Sequence, residues 1–242
     1  MNPDLALQII PELLHGTWIT VNLVAQSTLL GFALIAVPLG LARNSKRRAL
    51  RILSSVYDFV FRGTPLIVLL YIVYYGLATW SPIRDSVLWV VFQEPYFCAL
   101  LALSLNTGAY GAEIVQGAIR SVPKEQIESA QALALKRRHV LLFVSGPLAL
   151  RYALAPYTHE IIGLIKSTAV VSTITILDLM GTASSIYTET FDAFTPMLSA
   201  GVVYLALVLL LTAGMGRVER WLYRGNAGVA AASQEVSGRD AI

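Results

Sequence analysis

The amino-acid sequence predicts an all-α integral membrane protein with five transmembrane helices. Of its 242 residues, 56% are hydrophobic and only 14% are charged, whereas about a quarter of the residues in a soluble protein are charged. The mean hydropathy is +0.64. Apolar runs close to the roughly 20 residues that cross a bilayer recur along the chain. The five predicted spans are residues 17–42, 63–83, 95–112, 156–180 and 193–216.

The distribution of basic residues predicts the orientation of these spans. No Lys or Arg precedes the first span, and a basic cluster at 43–51 follows it, so the N-terminus is predicted to lie outside. The segments 120–151 after the third span and 217–224 after the fifth are also basic. The loop after the second span contains only Arg84, and the loop after the fourth contains no base. Every loop therefore agrees with an N-out/C-in topology.

Polar residues inside the third and fourth spans predict a cavity in the membrane. At 1.5 Å per residue, Glu160 lies about 13 Å from the cytoplasmic surface if the fourth span begins near Arg151, and Asn106 lies about 16 Å from Pro95 at the outer surface. Tyr110 continues the face of Asn106, and Ser167 continues that of Glu160. Because charged groups in a membrane face protein or water, these four residues are predicted to line a substrate passage in which Glu160 attracts a cation. A structural glutamate that is satisfied by a neighbouring hydroxyl or amide, or that is kept protonated, is the alternative.

Other charged residues near the membrane surface are expected to form pairs. Glu113 lies deeper toward the cytoplasm and is expected to pair with Arg120 or Lys124, or to contact a partner subunit. Asp58 and Arg62 are four residues apart and are expected to form an ordinary ion pair on one helix face. A role of Glu113 in the passage is the alternative.

The segment 121–150, SVPKEQIESAQALALKRRHVLLFVSGPLAL, mixes many charges with helical apolar spacing. Pro123 suits a first helical position, and a short helix with a small-residue face follows it. A second helical piece from Val140 is expected to be broken by Gly146 and Pro147. Spacing alone fits an amphipathic pair on the inner leaflet, but a face of alanines is typical of a surface that another protein approaches closely.

Several motifs resemble those of ABC-importer permeases for polar amino acids. The stretch 117–135, GAIRSVPKEQIESAQALAL, resembles their EAA loop, a cytoplasmic helix that docks on the ATP-binding subunit. Similarity to their second, third and fourth spans is carried by RGTPL at 62–66 with YYG at 74–76, NTGAYGAEI at 106–114, and KSTA at 166–169. STITI at 172–176 is similar to the histidine/arginine and octopine/nopaline uptake permeases.

The resemblance implies one transmembrane permease domain over residues 1–224, with a cytoplasmic coupling loop at about 118–155 between the third and fourth helices. The tail 225–242 is predicted to be disordered. The implied function is import of polar, above all basic, amino acids or opine-like compounds across a bacterial inner membrane. The implied partners are an ATP-binding subunit dimer, a second identical or homologous permease and a periplasmic substrate-binding protein. ATP and Mg would bind to the partner ATPase, and this chain is expected to bind no cofactor or metal.

The resemblance also implies which residues contact the ATPase. The docking face would consist of Glu128, Ser129, Ala130, Gln131 and Ala134. The family usually has glycine where this chain has Ala134, and leucine where it has Gly146. If that glycine is left-handed at the end of the docking helix, alanine there costs about 1 kcal/mol, or the helix runs further.

The sequence argues against an enzyme and predicts no catalytic residue. The nearest approach to a phosphate-binding loop has Ile165 where a glycine must precede the lysine. His159 and Glu160 begin a zinc-protease motif, but Gly163 stands where the second histidine is needed. A proton-coupled secondary transporter or a channel subunit is the alternative, since intramembrane carboxylates also serve proton coupling. Such a carrier has no need of an alanine-rich docking loop.

The predicted topology is tested by reporter fusions. Fusions after residues 50, 135 and 225 should report the cytoplasm, and fusions near 85 and 190 should report the outside, because the basic loops remain in the cytoplasm. Paired alkaline phosphatase and fluorescent-protein reporters measure both sides. A cytoplasmic signal from position 190 would overturn the five-span topology.

Overall fold

The computed structural model describes residues 3–223, which form helices and include no strand. The predicted disordered tail, 225–242, lies outside the described residues. The helices, numbered in chain order, are α1 (Pro3–Gln8), α2 (Ile10–Arg43), α3 (Arg48–Gly63), α4 (Leu66–Thr79), α5 (Ser81–Arg84), α6 (Trp89–Phe92), α7 (Pro95–Arg120), α8 (Lys124–Ala132), α9 (Arg137–His139), α10 (Val140–Ile174), α11 (Leu179–Thr190) and α12 (Phe194–Tyr223).

Four of these helices, α2, α7, α10 and α12, are long and apolar enough to cross a membrane. A fifth crossing results if α3 and α4, which meet at a bend of 99°, are counted as one span. The first, third and fifth predicted spans correspond to α2, α7 and α12. The second predicted span starts at the bend, so the sequence did not separate α3 from α4. The described residues form a multi-pass helical membrane protein, and the count of five crossings stays a prediction.

The fourth span differs from its prediction. α10 begins well before residue 156, and the break expected at Gly146 and Pro147 is wrong. The first turns, Val140–Ser145, form a π-helix in which the Gly146 N–H donates to the Leu141 carbonyl. Pro147 then lies in the first α-helical turn, where a missing N–H is tolerated. A β-carbon at Gly146 would stand 2.6 Å from the Leu141 carbonyl oxygen, so this tight turn requires glycine.

Helices α2 and α7 pack through small residues. A β-carbon on Gly31 of α2 would stand 2.8 Å from the Ser104 carbonyl oxygen of α7. On the α7 side, a β-carbon on Gly111 would stand 2.7 Å from Ala36. Lipid provides no hydrophobic drive for association, so this close approach of two backbones is what holds the helices together.

Contacts at the two ends of the bundle give the relative directions of the helices. Gly40 meets Val115 beyond the Gly31 contact, so α2 and α7 run parallel. The start of α12 lies beside the start of α2, where Leu13 and Ala200 belong to one buried cluster. These contacts make α2, α7 and α12 parallel, as alternating crossings require. The assignment of one end to the outside stays a prediction.

Helix α10 runs antiparallel to α2 and returns the chain to the start of α2. The Tyr157 ring in α10 packs against Phe32, with the ring centroids 4.5 Å apart. Beyond the end of α10, the buried Asp178 caps α11. The Leu179 N–H donates to the Thr20 hydroxyl of α2 at 3.1 Å. The α10–α11 connection is therefore fastened to the first third of α2.

Helix α8 ends at a left-handed alanine. Pro123, expected at the first helical position, precedes the helix with φ −59° and ψ 132°. At the other end, the Leu135 N–H donates to the Ala130 carbonyl at 3.3 Å and the Ala134 N–H to the Gln131 carbonyl at 2.9 Å, the two bonds of a Schellman motif. Ala134 has φ 54°, in the region that favours glycine. Of the two outcomes foreseen for alanine here, the strained conformation is the one found.

Glycine at position 134 should therefore stabilise the end of α8. A left-handed conformation costs an L-residue roughly 1–2 kcal/mol, which glycine would avoid. The greater conformational freedom of glycine in the unfolded chain offsets about 0.4–1 kcal/mol of this gain. We expect Ala134→Gly to slow amide hydrogen exchange across 124–135 severalfold. The matched control, Ala132→Gly, lies inside the helix and should accelerate exchange. Faster exchange in Ala134→Gly would contradict the assignment of strain to Ala134.

Candidate functional site

A cavity of about 330 Å³ lies between α3, α4, α7 and α10 and is called the charged cavity below. All four residues predicted to line a substrate passage are on its wall: Asn106, Tyr110, Glu160 and Ser167. Arg62 completes the charged part of the wall, and the sequence did not place it there. The wall of the charged cavity therefore carries one acidic side chain, Glu160, and one basic side chain, Arg62.

The bend between α3 and α4 brings the second helix pair into the cavity. Thr64 and Pro65 are extended, with ψ 126° and 136°, between the last residue of α3 and the first of α4. Proline has no N–H and disfavours a helical residue before it, so α3 must end here. The 99° bend leaves Arg62, Thr64 and Leu66 on the cavity wall.

Glu160 is half-buried and projects from α10 into the charged cavity. Within residues 3–223, its carboxylate makes no hydrogen bond and no ion pair. No hydroxyl or amide of the described residues donates a hydrogen bond to Glu160, so the form of the structural alternative that remains is a protonated glutamate. Gly163, one turn along α10, has no atom within 4 Å of a β-carbon position, so the cavity is open beside Glu160.

Four charged residues form an ion-pair network next to the cavity: Arg43, Asp58, Arg62 and Glu113. Arg43 Nη2 lies 2.8 Å from Asp58 Oδ1, and Arg62 Nη1 lies 3.4 Å from Asp58 Oδ2. The expected Asp58–Arg62 pair is therefore confirmed. Arg62 also pairs with Glu113, so the expectation that Glu113 pairs with Arg120 or Lys124 is wrong. The bend turns the end of α3 toward α7, which residue spacing along one helix could not show.

Asn106 has a structural partner as well as a place on the cavity wall. Its Nδ2 donates to the Phe61 carbonyl at 3.0 Å. One residue earlier, the Leu105 carbonyl accepts from the Tyr57 hydroxyl at 2.8 Å. These two bonds hold the end of α3 against the middle of α7. Tyr110 is partly exposed, and its ring lies under the Arg62 guanidinium at 4.9 Å from the ring centroid.

The predicted docking residues on α8 differ in exposure. Glu128, Ser129 and Gln131 are exposed, and so is Ala134 beyond the helix end. Ala130 is only 5% exposed, because α8 packs on the first turns of α10, so its expected place on the docking face is wrong.

Sequence reasoning also missed Leu133, which is 76% exposed beside the helix end. An exposed leucine at the end of a polar helix was the signal available. In the described part of the chain, no group of three or more His, Cys, Asp or Glu side chains could hold a metal ion.

The helical bundle with a charged internal cavity defines a membrane transport protein of the permease class. The chain belongs to the family of binding-protein-dependent transport system inner membrane components, whose model matches residues 31–224. It is a transport subunit rather than an enzyme.

Named relatives are permease proteins of transport systems. The chain is 38% identical over 223 residues to the nopaline transport system permease protein NocM of Agrobacterium fabrum, covering 92% of each protein. It is 41% identical over 166 residues to the arginine ABC transporter permease protein ArtM of Haemophilus influenzae, covering 69% of this chain and 73% of the relative. A crystal structure of an amino acid ABC transporter with histidines matches with a TM-score of 0.79 and 25% identity, over 91% of this chain and 98% of that one.

Proposed function

We propose that this permease imports basic amino acids or opine-like compounds, and that they pass through the charged cavity. The observation that carries the proposal is Glu160, an acidic group in a membrane cavity whose carboxylate makes no hydrogen bond and no direct ion pair in the described part of the chain. The ion-pair network is neutral, because two arginines balance Asp58 and Glu113. Glu160 adds one negative charge, which a basic group of the substrate, such as a guanidinium, would neutralise. An unpaired charge in a medium of low dielectric constant is costly, so a substrate that carries a cationic group is the favoured occupant.

The names of the relatives support the same substrate class. Nopaline, arginine and histidine, which appear in those names, all carry a basic nitrogen group. Asn106, Tyr110 and Ser167 then provide polar groups for the remainder of the substrate on the same wall. In this proposal no chemical bond of the substrate changes.

The proposed assembly follows the predicted topology. Five N-out/C-in spans from one chain enclose half of a passage, and a second identical or homologous permease supplies the other half. A periplasmic binding protein delivers the substrate to the outer end, in a bacterial inner membrane. A dimeric ATPase, which binds ATP and Mg, docks on α8 at the cytoplasmic end. The exposed Glu128, Ser129, Gln131 and Leu133 support this docking site.

The position of α8 explains how docking would act on the cavity. Three residues separate the end of α7 from the start of α8, and α8 packs on the first turns of α10. α7 carries Asn106 and Tyr110, and α10 carries Glu160 and Ser167. A movement of α8 imposed by ATP binding would therefore displace both helices that carry the predicted passage residues, opening one gate and closing the other.

Charge removal at Glu160 tests the substrate class. Glu160→Gln keeps the shape but removes the charge, so uptake of a cationic amino acid should fall at least about tenfold while uptake of a neutral one falls less than about threefold. Uptake is measured in proteoliposomes that contain the ATPase. It is normalised to the permease level and to saturating binding protein, with two substrates that the binding protein delivers equally well.

A neutral obstruction provides the matched control. Gly163→Val adds bulk to the open side of the cavity without a clash, so it should lower uptake of both substrates alike. Equal loss of both substrates in Glu160→Gln, or no loss of either, would contradict the role of Glu160.

Charge and polarity changes on α8 test the docking site. Glu128→Lys reverses an exposed charge and Leu133→Asp places a charge where an apolar contact is proposed, so each should lower ATP-driven uptake at least about tenfold and reduce ATPase co-purification. The control Glu189→Lys reverses an exposed charge on α11, which lies at the other end of the bundle, and should leave co-purification unchanged.

Ala130→Trp should instead disturb packing of α8 on α10, because Ala130 is buried. Normal co-purification with both docking variants would remove α8 as the ATPase contact.

A further inference from the structure

Arg62 and Glu160 bring opposite charges to a single cavity. Arg62 projects from the end of α3, and Glu160 projects from α10 across the same space of about 330 Å³. Glu160 explains why the cavity would attract a cation, but it does not explain why a positively charged Arg62 lies on the same wall. If binding a cation were the only task of the cavity, a positive side chain beside the substrate would weaken binding.

The Arg62 guanidinium has donors that remain available to a ligand. A guanidinium carries five N–H donors, and the contacts of Arg62 with Asp58 and Glu113 are all made by Nη1. Among the described residues, Nη2 and Nε make no hydrogen bond to the protein. These two nitrogens form the fork that binds a carboxylate through two parallel hydrogen bonds.

The surroundings of Arg62 hold this fork in place. The Tyr110 ring supports the guanidinium plane at 4.9 Å, and Asp58 anchors Nη1. Asp58 is itself fixed by Arg43 at 2.8 Å, so its position does not depend on Arg62 alone. A donor whose orientation is fixed before binding loses little conformational freedom when a ligand arrives.

From this geometry we infer that Arg62 binds the carboxylate of the substrate while Glu160 accepts its basic group. The inference rests on the proposed function and extends it. The charged cavity then selects a basic amino acid over the amine of the same side chain without the carboxylate. With the network neutral, a substrate of net charge +1 that presents a carboxylate to Arg62 still neutralises Glu160.

Binding of arginine and of its decarboxylated amine, agmatine, tests the inference. The permease is purified with its ATPase in lipid nanodiscs, without binding protein, and each compound competes against radiolabelled arginine. The unchanged complex should bind arginine at least about tenfold more tightly than agmatine, because agmatine cannot use Arg62. Arg62→Gln should weaken arginine binding to the level of agmatine and change agmatine binding less than about threefold. Arg62→Lys keeps the positive charge but loses the two parallel donors. Its preference for arginine over agmatine should therefore lie between that of the unchanged complex and that of Arg62→Gln.

Arg43→Gln is the matched control. It also removes an arginine bonded to Asp58, but Arg43 does not line the cavity, so the preference for arginine should persist. An unchanged preference in Arg62→Gln, or an equal loss of preference in Arg43→Gln, would overturn the inference and leave the importer function intact. If neither compound binds to the unchanged complex, the proposed substrate class itself fails.

Discussion

The close approach of α2 and α7 is the contact on which the rest of the structure depends. Lipid tails are as apolar as the side chains that face them, so two helices in a membrane gain no free energy by burying apolar surface against each other. They associate only where their surfaces fit closely. Gly31 and Gly111 remove the side chains that would otherwise separate the two backbones. α7 is thereby fixed inside the bundle, where α3, α4 and α10 pack around it. Because Asn106, Tyr110 and Glu113 all project from α7, this contact also decides where they stand.

The charges inside the bundle impose the second constraint. An ionised group in a membrane is costly without a partner, and the four charged groups of the ion-pair network are paired through contacts that join α2, α3 and α7. These contacts are possible because the chain bends at Thr64 and Pro65, which turns the end of α3 toward α7. The same bend exposes Arg62 to the cavity. The bend at Pro65 therefore places Arg62 both in the ion-pair network and on the cavity wall.

The connection between the cavity and α8 follows from chain continuity. α8 begins directly after α7 and rests on the first turns of α10, so the two helices that carry the predicted passage residues share one contact at the same end. The strained Ala134 lies at the end of α8, where the Schellman motif closes the helix.

The sequence by itself determined what depends on spacing along one helix. The apolar runs gave the helical membrane fold, and depth and face placed Asn106, Tyr110, Glu160 and Ser167 on what proved to be one cavity wall. A single departure from the family pattern marked Ala134, but only the structure decided between a left-handed alanine and a longer helix. Tertiary structure alone decided the Arg62–Glu113 pair, the burial of Ala130 and the continuity of α10 through Gly146 and Pro147. Each of these depends on which faces of different helices meet, and that is set by close packing between residues distant in sequence, which no local pattern encodes.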